Sequence, residues 1–275
     1  MPEDSTPSPE DSTRSSDVAD VVAASQDDRL FERPREFLGP SGFAALQEAR
    51  VLVVGLGGVG SHTVSALLRA GVGHLRLVDF DVVTRSSLGR MAMVCPADIG
   101  HAKAEVLAAR ARELVPDVDV DPSTIFFHED SADAVFGARP PDLLIDAIDS
   151  VAPKVALLRE GHRRQVWTLS SMAAAGRRDP GSLRVGDLSE TTRCPLARII
   201  RRRLRRLGID RGITCVYSVE APIAPLPPDP DEPHYPRGRM RNRLPNLPMM
   251  PGIFGYALAS LAVTGLASLE REHQT

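Results

Sequence analysis

The sequence predicts an α/β protein with a doubly wound, largely parallel sheet. Short apolar runs typical of strands alternate with helical runs, and the connections between them are short. Such alternation is typical of a parallel sheet covered by helices on both faces. A glycine-rich loop, residues 55–60, follows the first apolar run and opens a helical run, as in a βαβ unit. Together these observations predict a Rossmann-like fold with a C-terminal extension.

Each predicted element follows from a local pattern. Ser41 is a plausible N-cap for a short first helix, Pro122 is expected to break the third strand, and Pro153 suits the first turn of a later helix. The predicted strands are residues 51–54, 75–79, 118–127, 143–148, 166–170 and 213–218. The predicted helices are residues 41–49, 61–70, 102–114, 152–163 and 252–269.

The loop GLGGVG, residues 55–60, predicts a phosphate-binding turn. Gly55 allows a sharp exit from the strand, Gly57 lets backbone N–H groups approach phosphate oxygens, and Gly60 lets the helix pack close to the sheet. Asp79 ends the next apolar run about 20 residues after Gly60, the spacing expected for an acid that holds a ribose. The sequence therefore predicts a bound nucleotide.

Charged residues beyond this loop favour ATP chemistry over hydride transfer. Arg90 in SSLGR and Lys103 in GHAK supply two cations that would neutralise a triphosphate. Asp149 follows the buried run 143–148 and could hold Mg2+. A dehydrogenase would need only the first acid of this series. The same region holds further candidate contacts of the nucleotide, which are Asp81, Ser87 and Asp146.

Several motifs resemble one group of known proteins. The chain is similar to the ubiquitin-activating enzyme superfamily of ThiF/MoeB-like adenylating proteins in VLVVGLGGVGSHTVSALLRAGVGHLRLVDFDVV, in SSLGR with IGHAKAE, and in DAIDSVAPK. It resembles the branch of tRNA threonylcarbamoyladenosine dehydratases in SSMAAAGRRDP, PLARIIRRRLRRLGI and VYSVEAP. The resemblance covers roughly residues 29–265.

The resemblance implies an ATP-dependent reaction on tRNA. In that family an ATP and Mg2+ site adenylates the carboxylate of a threonylcarbamoyl group beside the anticodon, and intramolecular ring closure then releases AMP. It implies that Arg90, Lys103 and Asp149 are catalytic, with Asp149 as the Mg2+ ligand. It also implies that Arg33 reaches the partner's site in a homodimer, and it suggests an accessory sulfur-transfer protein. The implied nucleotide contacts are Gly55, Gly57, Gly58, Gly60, Asp79, Asp81, Ser87 and Asp146.

Three positions depart from the family pattern, and other activities stay open. Gly89 and Ser150 stand where relatives usually carry Asn, and Ser87 where other branches have Asn. We interpret these departures as tuning of ATP contacts, with a non-catalytic nucleotide-binding scaffold as the alternative. A second alternative is an adenylyltransferase that activates the C-terminus of a sulfur-carrier or ubiquitin-like protein. A third is an NAD-dependent oxidoreductase.

Cysteine usage weighs against the sulfur-carrier alternative. The chain has three cysteines and no CxxC pair, so the structural zinc site of the enzymes that activate sulfur carriers cannot be built. An odd number of cysteines also leaves no full set of disulfides, which fits a reducing compartment. The cysteines are Cys95, Cys194 and Cys215.

The body of the chain is more basic than its net charge of −3 suggests. Residues 1–28 are rich in Ser, Asp, Glu and Pro and are expected to form an acidic disordered tail. Seven arginines fall within residues 193–206, among apolar residues at helical spacing. We interpret this segment as a tRNA backbone contact, with a solvated face or a dimer contact as the alternative. The expected tRNA contacts are Arg177, Arg178, Arg198, Arg201, Arg202, Arg203, Arg205 and Arg206.

This interpretation divides the chain into a tail at 1–28, an ATP-binding adenylation domain at 29–170, and a substrate- and tRNA-binding part at 171–275. Ten of the 23 prolines fall within residues 222–251, which predicts an extended loop. The apolar run 252–269 is expected to be a buried helix rather than a membrane span. With no hydrophobic N-terminal signal, a cytoplasmic location is expected.

Overall fold

The computed structural model describes residues 29–227 and 244–272, the last four without their side chains. It contains a seven-stranded sheet in the order β3-β2-β1-β4-β5-β7-β6. Neighbouring strands are parallel except for β6 and β7, which are antiparallel. The α/β prediction is therefore confirmed. The strands are β1 (Arg50–Val54), β2 (His74–Val78), β3 (Asp119–Ser123), β4 (Leu143–Asp146), β5 (Trp167–Ser171), β6 (Leu183–Asp187) and β7 (Thr214–Ser218).

Helices connect the strands and cover both faces of the sheet. They are α1 (Glu32–Glu48), α2 (Gly58–Ala70), α3 (Lys103–Leu114), α4 (Ala132–Phe136), α5 (Val151–Arg163), α6 (Pro195–Arg205) and α7 (Met249–Glu272). The bounds of α3 and α5 lie within one residue of the predicted ones. The acidic tail and the middle of the proline-rich segment lie outside the described residues.

Two predicted elements differ from the structure. The first helix begins at Glu32 and is interrupted at Gly39 (φ +74°), so Ser41 lies inside it and is not an N-cap. The third strand is shorter than predicted and contains Pro122, which pairs with Leu77. Proline is tolerated there because β3 is an edge strand and needs no amide donor on its outer side.

The C-terminal helix α7 packs against α1 and α2. It buries Phe254, Leu258, Ala262 and Leu266, which recur every fourth residue and so share one face. Close packing on α2 depends on Gly255, since a Cβ there would lie 2.6 Å from the carbonyl oxygen of Val59. Within the described ranges, residues 249–268 form the one helix apolar and long enough to cross a membrane, and half of that stretch is buried in protein.

Candidate active site

The glycine loop joins β1 to α2 at the carboxyl edge of the parallel strands. Gly55 has φ +91°, and a Cβ there would lie 2.8 Å from the backbone of Ala147, in the loop after β4. A Cβ at Gly57 would meet no described atom within 4 Å. No side chain of the described residues caps the N-terminus of α2. Its first N–H groups and the open space above Gly57 therefore suit a phosphate.

Asp79 follows β2 and is buried beside the glycine loop. Its Oδ2 accepts a hydrogen bond from the N–H of Leu56 at 2.6 Å, and its Oδ1 accepts one from the N–H of Asp81 at 2.8 Å. Burial raises the pKa of this carboxyl, while the charge of Lys103 and the two N–H donors oppose the shift. The carboxylate is held in one orientation, as an acceptor for a ribose hydroxyl must be.

Lys103, the first residue of α3, forms an ion pair with Asp81. The Nζ to Oδ2 distance is 2.9 Å, and the lysine side chain is 7% exposed. The backbone N–H of Lys103 also donates to the carbonyl oxygen of Asp81 at 3.0 Å. Asp81 Oδ1 is buried and has no hydrogen-bond partner among the residues that the structure describes. An ammonium has three donors, so Lys103 can bind a phosphate oxygen while it keeps this pair.

The turn that contains Arg90 lies against the start of α2. The Arg90 carbonyl oxygen lies 3.4 Å from the position of a Cβ on Gly58, and the N–H of Ala92 donates to Ser61 Oγ at 2.9 Å. Arg90 Nη1 donates to the carbonyl oxygen of Ser86 at 2.7 Å. The backbone of the turn is thereby anchored next to the glycine loop.

The end of β4 and the loop after it carry two predicted acids with different environments. Asp149 is exposed at the site edge. Asp146 is fully buried, and its Oδ2 lies 2.6 Å from Lys154 Nζ and accepts the hydroxyl of Ser170 at 2.6 Å. Its Oδ1 accepts the N–H of Ile148 at 3.1 Å. The expectation that Asp146 contacts the nucleotide is corrected, since both of its oxygens are occupied in a buried ion-pair network.

Ser87 is also corrected. It is fully buried, and its Oγ accepts the N–H of Thr84 at 3.1 Å, so it closes the turn before Arg90 instead of facing a ligand. Sequence reasoning missed Lys154, the cation of the buried pair. The available signal was its position in the first turn of α5, directly after the strand that ends at Asp146.

Arg33 lies on the exposed first turn of α1, remote from the glycine loop of its own chain. Phe31, two residues earlier, lies within 3.5 Å of a Cβ on Gly71, which caps the carboxyl end of α2. The glycine loop is at the opposite end of α2, roughly 18 Å away at 1.5 Å per residue. An arginine side chain does not bridge that distance.

The arginine-rich helix is present as α6, which buries Ala197, Ile200 and Leu204 and packs against α5. Arg201 is turned inward, because its Nη1 donates to the carbonyl oxygen of Thr191 at 2.7 Å. Of the expected tRNA contacts, those that are exposed are Arg178, Arg198, Arg202, Arg203, Arg205 and Arg206.

Arg177 does not belong to that exposed group. It is 1% exposed, so the expectation that it contacts tRNA from a surface loop is corrected.

The chain is similar to known proteins along most of its length. The profile of the ThiF family matches residues 31–275. The chain is 40% identical over 188 residues to tRNA threonylcarbamoyladenosine dehydratase 2 of Saccharomyces cerevisiae, which covers 68% of this chain and 42% of that protein. It is 34% identical over 193 residues to the tRNA threonylcarbamoyladenosine dehydratase of Bacillus subtilis, with coverages of 70% and 76%.

A solved structure shows the same likeness. The Escherichia coli tRNA N6-threonylcarbamoyladenosine dehydratase in complex with ATP has a TM-score of 0.78 to this chain at 29% identity. The match covers 89% of this chain and 96% of that one. This chain therefore spans nearly the whole bacterial enzyme and less than half of the yeast relative.

Proposed function

Since the chain belongs to the ThiF family, we propose that it is an ATP-dependent enzyme that dehydrates threonylcarbamoyladenosine next to the anticodon of tRNA. One observation supports this most strongly. The uncapped start of α2, the buried Asp79, the Lys103–Asp81 pair and the turn of Arg90 all meet at one edge of the sheet. That set suits a nucleoside triphosphate and an anionic partner in one place.

In the first step, a carboxylate oxygen of the substrate attacks the α-phosphorus of ATP, and the bond from that phosphorus to pyrophosphate breaks. Two anions must approach each other, so preorganised positive charge lowers the barrier. Lys103 and Arg90 supply that charge, and the N–H groups of α2 hold the phosphates. Asp149 would hold Mg2+, which supplies further charge; one carboxylate with phosphate oxygens is a donor set that Mg2+ prefers.

In the second step, the ureido group of the same substrate attacks the activated acyl carbon, and the bond to AMP breaks. AMP carries away one oxygen of the original carboxylate and a proton is released, so the nucleoside loses one water in total. No enzyme thiol is needed. This fits the cysteines, because Cys194 and Cys215 are buried and burial raises the pKa of the Cys215 thiol.

Nucleoside mass spectrometry tests the proposal directly. Incubated with ATP, Mg2+ and tRNA that carries threonylcarbamoyladenosine, the protein should remove one water from that nucleoside and release AMP. Lys103→Ala should abolish both products, because it removes the buried ammonium that pairs with Asp81. Arg139→Ala, an exposed arginine in the loop before β4, is the matched control and should behave as wild type. An unchanged nucleoside mass with wild-type protein would refute the substrate assignment.

Ligand titration separates the alternatives. The proposed site should bind ATP with Mg2+ and not NAD. Tight NAD binding without ATP binding would favour an oxidoreductase, and ATP binding without AMP formation on tRNA would favour a scaffold.

We further propose a homodimer in which Arg33 enters the partner's ATP site. This is supported by the distance of Arg33 from its own glycine loop and by Phe37 on the same helix, which is 84% exposed. Mixing inactive Arg33→Ala and Lys103→Ala proteins with subunit exchange should restore about one quarter of wild-type activity. Half of the dimers are then mixed, and each has one intact site. No restored activity would place Arg33 in the site of its own subunit, and an Arg33→Ala protein that is active by itself would place it outside any site.

The exposed arginines of α6 are proposed to bind the tRNA backbone. Arg202→Glu with Arg203→Glu should weaken tRNA binding and reduce the slope of log affinity against log salt by about 1 to 2. Arg139→Glu, a reversal elsewhere, should leave the slope unchanged. An unchanged slope in the double variant would indicate a solvated face. The cytoplasmic location and the sulfur-transfer partner stay predictions.

A further inference from the structure

Arg177 is a buried guanidinium that lacks a partner. Its residue is 1% exposed, and Nε, Nη1 and Nη2 are all buried without a hydrogen bond to any described residue. A guanidinium stays charged at every physiological pH and has five N–H donors. Burying such a group unpaired is strongly unfavourable. The site is therefore suited to an anion that arrives with a ligand.

The backbone around Arg177 is fixed at the functional edge of the sheet. Arg177 follows β5, the neighbour of β4, and carboxyl ends of parallel strands meet at one edge. The N–H of Gly176 donates to the carbonyl oxygen of Pro245 at 2.7 Å, and the N–H of Ile223 donates to the carbonyl oxygen of Gly176 at 2.9 Å. The N–H of Arg178 is held by Glu220 Oε2 at 2.9 Å. The loop is thus tied on both sides of the guanidinium.

The order of the strands indicates which anion Arg177 would bind. The phosphate-binding groups follow β1 and β2, on one side of β4, whereas Arg177 follows β5 on the other side. The reaction proposed above brings two anions together, the triphosphate and the carboxylate of the substrate. β4 lies between these two groups of residues. Asp149 lies in the loop after β4, where the two anions would meet.

We propose that Arg177 binds the carboxylate of the substrate and presents it to the α-phosphorus of ATP. This inference rests on the proposed function and names the residue that recognises the substrate's anionic group. A guanidinium can hold one carboxylate oxygen with two N–H groups, which leaves the other oxygen free to attack the α-phosphorus. When the acyl group is activated its negative charge is lost, so the guanidinium no longer holds it and ring closure can follow.

The first test compares the acid with an uncharged analogue. Wild-type protein should bind the nucleoside threonylcarbamoyladenosine at least about tenfold more tightly than its methyl ester, since only the acid offers a carboxylate. Arg177→Ala should bind both equally, and Arg177→Lys should retain part of the preference. Arg184→Ala removes an exposed arginine of β6 and should keep the full preference. A preference retained in Arg177→Ala would overturn the proposal.

Kinetics and rescue give a second readout. Arg177→Ala should lower kcat/KM for the modified tRNA by about 100-fold, with ATP affinity unchanged, and millimolar guanidinium should restore part of the loss. An equal loss of ATP affinity would assign Arg177 to the phosphates. Arg177 would be assigned to the stability of the fold if Arg177→Ala melts at a lower temperature, added guanidinium restores no activity and Arg177→Lys is impaired as well. Wild-type protein that prefers the acid but produces no AMP would keep this site and refute only the proposed function.

Discussion

Lys154→Met should destabilise the fold by about 3–5 kcal/mol, the usual cost of leaving one charge of a buried pair uncompensated. Lys154 Nζ and Asp146 Oδ2 are 2.6 Å apart, and both side chains are 0% exposed. Lys154 also donates to the carbonyl oxygen of Ile148 at 2.8 Å, and the same carboxylate oxygen accepts the hydroxyl of Ser170. The loss should therefore exceed the roughly 1 kcal/mol of an ordinary hydrogen bond.

Urea denaturation of a double-mutant cycle measures this cost. Lys154→Met and Asp146→Asn should each lower the free energy of unfolding strongly, and the double variant should cost at least about 2 kcal/mol less than the sum of the two. Arg139→Met, at an exposed position, should change it by no more than about 0.5 kcal/mol. Additive single effects, or a cost below about 1 kcal/mol for Lys154→Met, would refute the argument that this pair is a buried electrostatic unit.

Two further changes test the fold around the site. The hydrogen bonds that Glu160 accepts, chiefly from Arg163, lower its pKa from 4.5 to about 2. A depressed folded-state pKa means that the carboxylate stabilises the fold above pH 4.5 and loses this effect as the pH falls toward 2. Glu160→Gln should therefore lower the free energy of unfolding by about 1 kcal/mol at pH 7, a value reduced for solvent screening because Arg163 is exposed. In thermal melts followed by circular dichroism, the difference in stability from wild type should shrink in acid, and a difference that stays constant with pH would contradict the lowered pKa of Glu160. Gly60→Ala should abolish ATP binding or folding, because its Cβ would lie 1.9 Å from the carbonyl oxygen of Gly55. In the control Gly89→Ala the nearest atom would lie 3.8 Å from the Cβ, so the melting temperature should not change. Equal behaviour of the two variants would show that the glycine loop relaxes around the added methyl group.

Residue spacing predicted the glycine loop, because a strand, a tight turn and a helix start require glycine at fixed positions. Spacing could not separate Asp146 from Asp149, since both lie at the end of the same apolar run and only the fold decides which carboxylate pairs with Lys154. It also missed β6, which has no run of apolar residues because it is an edge strand with exposed side chains. Local chemistry is thus visible in sequence, whereas the pairing of distant charges is set by packing.

Two buried cations lie at the ends of adjacent strands and have different roles. One supports the fold, and the other is proposed to bind the substrate. Lys154 lies beside β4 with its carboxylate and a carbonyl oxygen already in place, so its charge is balanced within the described fold. Arg177, after β5, is equally buried and finds no acceptor among the described residues. Because burial penalises both charges alike, the difference lies in where the balancing anion comes from. For Lys154 the chain provides it, and for Arg177 we infer that the substrate does.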